Sequence, residues 1–413
     1  SMSVQYDSRE QTLQQMARYL EETNRETRKE AWELVERRRL QDRHTLNKIY
    51  DKMIELRDNV ARNAGFPNFR DYAFLRLERF DYTPEDCFRF HDTVERLVVP
   101  LHRQLQTKRQ QRLGIETLRP WDLLVDPEGL PPLRPFDEVD ELVGGSRRIF
   151  RSVDSELAGF FDRIYDLGLL DLDSRKGKAP GGYQATLAER RLPFIFTNAV
   201  GRDSDIRTML HEAGHAFHTS LTRDEPLNDY RHAPMEFAEV ASMTMDLIAG
   251  ESLEAFYGPD EKARSKRDHL EGIVRLLPWI ATIDGFQHWV YTNPEHTASE
   301  REEFWLQLHG RFGGVESWEG YEEILRNQWQ RQLHLFQVPF YYIEYGIAQL
   351  GALGLWLEWR RDPGVAVAAY KRGLSLGGST PLPELFAASG LRFDFGPETL
   401  KPVAEELRSE LSI

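Results

Sequence analysis

Cysteine is almost absent. Cys87 is the single one in 413 residues, so neither an intrachain disulfide nor a thiolate metal cluster can form, which suits a reducing compartment such as the cytoplasm. Cys87 stands in Asp86-Cys87-Phe88-Arg89-Phe90, a helix-like run, and reads as a half-buried small residue. Long apolar runs are missing too: no stretch of about 18 apolar residues exists, which excludes a membrane-spanning helix. Excess positive charge is also lacking. With 53 basic against 67 acidic residues the net charge is −14. Such a surface repels phosphate backbones and anionic lipid, so nucleic acid and membrane surfaces are excluded as default partners. No internal repeat or low-complexity segment is present. The sequence carries no signal for an oligomeric state.

Hydrophobic residues make up 40% of the chain and charged ones 29%, interspersed along its length. That supports a large core and exceeds the ordinary single-domain range. The expected organisation is one two-lobed unit over residues 1–413, with a helical region to about residue 170 and a second region from about 171 onward. From Thr12 to Arg112, apolar positions such as Trp32, Val35, Ile49, Met53 and Leu56 recur at helical steps, punctuated by Pro67 and Pro84. A Pro/Gly-rich connection spans Pro127 to Pro132, and helical pattern resumes from about Pro135 to Leu167. Between Gly181 and Asn198, alternation gives way to Leu192-Pro193-Phe194-Ile195-Phe196 across the charged turn Glu189-Arg190-Arg191, which predicts a β-hairpin. Asp203 or Ser204 then offers an N-cap for the next helix.

That helix carries His211-Glu212-Ala213-Gly214-His215. Helical geometry sets residues four apart on one face, so His211 and His215 can hold one Zn²⁺, and Glu212 can act as base toward water. Ala213 and Gly214 leave room for another element. A third ligand is required. The metzincin histidine is replaced by Leu221, and His218 is expected to orient a ligand or pack. Downstream, Glu239, Ser242, Met243 and Asp246 share one helical face, with Glu236 one turn earlier. Spacing leaves Glu236 and Glu239 both open as the third ligand, the other lying just behind it. Gly181, Gly182 and Tyr183 can admit a peptide backbone beside the hairpin. Tyr342 and Tyr345 are three apart and Tyr341 and Tyr345 four apart, so one helical face can present a pair of phenols. Asp284, Gln287 and His288 read as pocket residues, with His288 a satisfied core histidine.

The segments Gly181-Gly182-Tyr183, Leu192 to Asn198, His211 to His218, Glu236 to Met243 and Pro339-Phe340-Tyr341-Tyr342-Ile343-Glu344-Tyr345-Gly346 together resemble the thimet oligopeptidase / oligoendopeptidase F family, nearest its oligoendopeptidase F branch. The resemblance runs from about Arg28 onward. It implies a mainly α-helical, zincin-like metallopeptidase with two helical lobes around a deep channel and a small β-sheet beside the active-site helix. It implies one Zn²⁺ per chain held by His211, His215 and Glu239, Glu212 as general base, and short peptides as substrates cleaved at internal bonds. It also implies that Tyr345 is the first choice for the oxyanion donor, followed by His334 and Tyr342. Relatives of this branch usually carry a further N-terminal region ahead of the matched part. The rival reading is a catalytically silent peptide-binding protein that retains a structural zinc.

Overall fold

A computed structural model of the chain describes residues 2–179 and 181–413. The protein is mainly helical, with a two-stranded and a three-stranded sheet among the described residues. No helix among them is long and apolar enough to cross a membrane. The chain divides into two compact units, and the division is not linear. One unit takes residues up to Pro132, Ile273–Ile343 and Ile413, the other Leu133–Gly272 and Glu344–Ser412. The expected boundary near residue 170 is thus replaced by an interleaved one, whose later crossings fall inside the helices Pro259–Thr292 and Tyr342–Arg361. Helical periodicity runs unbroken across such crossings and gives no local sign of them.

In the first unit, helix Arg25–Gln41 starts at Asn24, whose side chain accepts the Glu26 and Thr27 amides. Trp32 packs with Trp121, Trp318 and Tyr321 into an aromatic core. Fully buried Asp122 is held by Arg28 at 2.9 Å and Arg25 at 2.7 Å. Helix Arg43–Asn63 buries Tyr50, Ile54 and Ala61, whereas Ile49 and Leu56 are exposed. The inward face is therefore about one position away from the one periodicity suggested. Pro84 opens helix Pro84–Leu97 behind a Thr83/Asp86 capping box.

The second unit positions the histidine motif. The expected helical stretch from Pro135 forms as Val139–Val153 and Ser155–Asp166, split at Asp154, which caps the latter. The hairpin pairs Tyr183–Leu187 antiparallel to Leu192–Ala199, with Tyr183 opposite Phe196 and Leu187 opposite Leu192. A third strand, Leu170–Asp173, joins parallel on the far side of Leu192–Ala199, leaving Tyr183–Leu187 as an edge strand. Helix Asp203–Leu221 follows. Its N-cap is Arg202 rather than Asp203 or Ser204. The Asp205 carboxylate accepts the Arg202 and Val200 amides, and Asp203 is occupied by Tyr257 Oη at 2.7 Å and Ser265 Oγ at 2.6 Å.

Candidate active site

Gly214 decides how the site is assembled. A Cβ there would lie 2.6 Å from the Ala241 carbonyl oxygen and 2.6 Å from Ser242 Cα. Only a residue without a side chain lets helix Asp203–Leu221 touch the backbone of helix Met235–Ala249. That contact brings Glu239 against the histidine pair. Glu239 Oε2 lies 3.4 Å from His211 Nε2 and 3.7 Å from His215 Nε2. One donor atom from each residue falls within 4.8 Å of the other two. Ligands about 2.0–2.1 Å from a tetrahedral zinc are about 3.3–3.4 Å apart, so these separations fit one such ion.

The groups behind the donors match that reading. Asp246 Oδ2 is 3.1 Å from His211 Nδ1, which turns Nε2 toward Glu239. Ser242 Oγ donates to Glu239 Oε2 at 2.9 Å. Burial alone would lower the His211 pKa, but Asp246 and Glu239 outweigh it and raise it well above the usual imidazole range. Burial takes His215 down to about 4. A cation shared by both rings would replace the proton on His211 and offset the two carboxylates. The orienting role of Asp246 was not assigned from sequence. Its signal was there, since it lies two turns after Glu239 on the same face.

Glu212 is buried and its carboxyl is pushed up to about 7, by burial first and by the nearby Glu239 charge, against the pull of His211 and of a hydrogen bond from the Gln184 amide. That amide belongs to the edge strand, so the strand and the carboxylate are in direct contact. Gly182 completes the junction: a Cβ there would lie 2.8 Å from Thr208 Cγ2 and 3.7 Å from Glu212 Oε1. Gly181 has φ +96°, a conformation glycine adopts without strain. Tyr183 is exposed and stacks on Phe196 with ring centroids 4.8 Å apart. His218 is buried, packs against Phe237 and has no hydrogen-bond partner at Nε2, so it packs and orients no ligand through that atom.

The aromatic candidates divide between the units. Tyr345 belongs to the same unit as the histidines, half-buried in the first turn of helix Tyr342–Arg361. His334, Tyr341 and Tyr342 belong to the other unit and group together. The His334 ring lies 5.0 Å from that of Tyr342 and 6.0 Å from that of Tyr341, and Gln332 Nε2 is 2.7 Å from His334 Nδ1. Phe340, just before the tyrosines, has φ 68°, unusual for a bulky residue. It is held by its amide, which donates to Gln287 Oε1 at 2.6 Å, and by Arg79 at its carbonyl. Gln287 therefore anchors the tyrosine segment and does not line a pocket wall.

Residues 18–403 match the family model for peptidase family M3. The chain belongs to peptidase family M3. Among curated members it is 24% identical to the chromosomal oligoendopeptidase F of Lactococcus lactis subsp. cremoris over 336 residues, 79% of this chain and 53% of that protein. It is 23% identical to oligopeptidase PepF of Bacillus subtilis (strain 168) over 369 residues, 87% of this chain and 53% of the other. The chain thus spans about half the length of the curated relatives it matches. Among solved structures, one assigned as an oligoendopeptidase F superposes with a TM-score of 0.91 at 30% identity, covering 100% of this chain and 73% of that one. PZ peptidase A, solved with an inhibitor, superposes at 0.90 with 29% identity, covering 99% and 73%. The oligoendopeptidase F resemblance and the mainly helical fold with small sheets both stand.

Proposed function

We propose that this M3 chain is a zinc-dependent oligoendopeptidase that hydrolyses internal bonds of short peptides. The observation that carries the reading is the convergence of His211, His215 and Glu239 at tetrahedral spacing beside a buried, unligated Glu212. A zinc ion held there supplies Lewis acidity toward the scissile carbonyl and lowers the pKa of water. Glu212 accepts the proton of the attacking water and delivers it to the leaving amine. Asp246 keeps the His211 ring in register, and Ser242 does the same for the Glu239 carboxylate.

The edge strand Tyr183–Leu187 offers its free side to a substrate backbone as an added strand, with Gly181 and Gly182 leaving the approach to Glu212 uncrowded. Tyr345, in the unit that holds the histidines, is the donor to the developing oxyanion. The single cysteine suits the cytoplasm as the site of action. A purely structural zinc has no use for a buried carboxylate beside its ligands, which weighs against a silent binding protein.

A quenched peptide library incubated with the chain, with chelator, and with chelator followed by zinc tests the reading. Cleavage lost to chelator and restored by zinc is expected. Cleavage indifferent to chelator, or none under any condition while peptides still bind, overturns it.

A further inference from the structure

A second cluster, in the unit that holds the aromatic core, is used by nothing above. Cys87 and His91 lie one turn apart on helix Pro84–Leu97, and Asp284 and His288 one turn apart on helix Pro259–Thr292. The two pairs face each other. His91 Nε2 is 2.9 Å and His288 Nε2 3.2 Å from the same Asp284 oxygen. One donor atom from each of Cys87, Asp284 and His288 lies within 4.8 Å of the other two. Cys87 and Asp284 are fully buried, and His91 and His288 are 3% exposed. The structure thus corrects one sequence expectation, since Cys87 is fully buried rather than half-buried; His288 is a core histidine paired with Asp284 through Nε2.

The contacts to Asp284 Oδ2 account for only part of this arrangement. His288 Nε2 is paired with Asp284 Oδ2, but His288 Nδ1 and the second Asp284 oxygen have no hydrogen-bond partner. Leaving buried polar atoms unmet is costly, so interiors seldom keep two of them side by side. The spacing has a parallel in the other unit. The 3.2 Å from His288 Nε2 to Asp284 Oδ2 is close to the 3.4 Å from His211 Nε2 to Glu239 Oε2, and both sit near a tetrahedral ligand edge. A thiolate, a carboxylate and an imidazole are the donor types of a borderline-soft divalent ion. Burial, and after it the Asp284 charge, pushes the Cys87 thiol well up, and the Arg79 charge acts in the opposite direction.

We infer that Cys87, Asp284 and His288 form a second divalent transition-metal site, suited to Zn²⁺, with His91 orienting the Asp284 carboxylate. Binding releases the thiol proton to solvent and forms the sulfur–metal bond in its place. The buried setting and the distance in sequence from the histidine motif make this a site that ties two helices together.

Cobalt substitution tests it. Cys87 is the only thiol, so a near-ultraviolet thiolate-to-cobalt charge-transfer band reports on this site alone. The full chain, kept reduced and stripped of metal, is titrated with Co²⁺. Two equivalents and the band are expected. Cys87→Ser should remove the band and one equivalent. His215→Ala should remove the other equivalent and leave the band, which keeps the reading decisive should Cys87→Ser fail to fold. Saturation without the band in both the parent chain and His215→Ala overturns the inference, as does a band that survives Cys87→Ser. Peptide hydrolysis is not a readout, so failure here is distinct from failure of the peptidase reading.

Discussion

Replacing Gly214 by alanine adds one methyl group at the contact that brings His211, His215 and Glu239 together. The new Cβ would sit 2.6 Å from the Ala241 oxygen and from Ser242 Cα, where ordinary contact starts at 3.4 Å. Both neighbours are backbone, so neither can rotate away, and the two helices must part by about 0.8 Å. Overpacking of this kind costs about 1–3 kcal/mol. The larger effect falls on the ligands, because His211 and His215 ride on one helix and Glu239 on the other. Their separations of 3.4 and 3.7 Å would widen beyond about 4 Å, outside the roughly ±0.2 Å that zinc bonds tolerate. Zinc affinity should fall by about 10–100-fold, the range seen when a supporting group is lost, with a smaller loss of stability in the metal-free chain. Competition against a chromogenic chelator gives the first quantity and denaturant unfolding with chelator present the second. Unchanged zinc affinity in a folded Gly214→Ala chain refutes the argument that this contact sets the triad.

Three further outcomes follow from other contacts. Asp246→Asn removes the carboxylate behind His211 Nδ1 and should weaken zinc binding about 10–100-fold at unchanged fold, measured by the same competition. Asp122→Ala leaves the Arg28 guanidinium, 3% exposed, without its carboxylate, and should cost about 3–5 kcal/mol in denaturant unfolding. Burial lowers the His102 pKa to about 4, so the unfolded chain binds this proton more readily than the folded one between about pH 6.5 and 4. Stability should therefore fall as pH drops through that window, and His102→Gln should flatten the fall in unfolding midpoints.

Much of the site was legible because its signals are local. A four-residue helical repeat announced His211 and His215, the downstream helix face held Glu239, Ser242 and Asp246 together, and alternation around a charged turn announced the hairpin. Choosing Glu239 over Glu236 needed the family resemblance, since both are buried on neighbouring turns. Strand Leu170–Asp173 was not legible: four residues give too little pattern, and its parallel pairing is a long-range choice. The interleaved units escaped for the same reason. Cys87 and Asp284 each start a one-turn pair with a histidine, a signal readable in either helix alone, but only the fold brings the two pairs together.

Glu212 carries the proposed proton transfers, buried against the edge strand and next to His211 yet outside the group of His211, His215 and Glu239. The decisive measurement is turnover of a quenched peptide by Glu212→Gln alongside its zinc content. The account predicts zinc content equal to that of the parent chain, an unchanged unfolding midpoint and hydrolysis reduced by about 10²–10⁴-fold or more. Hydrolysis at the parent rate by a zinc-loaded Glu212→Gln chain would contradict it.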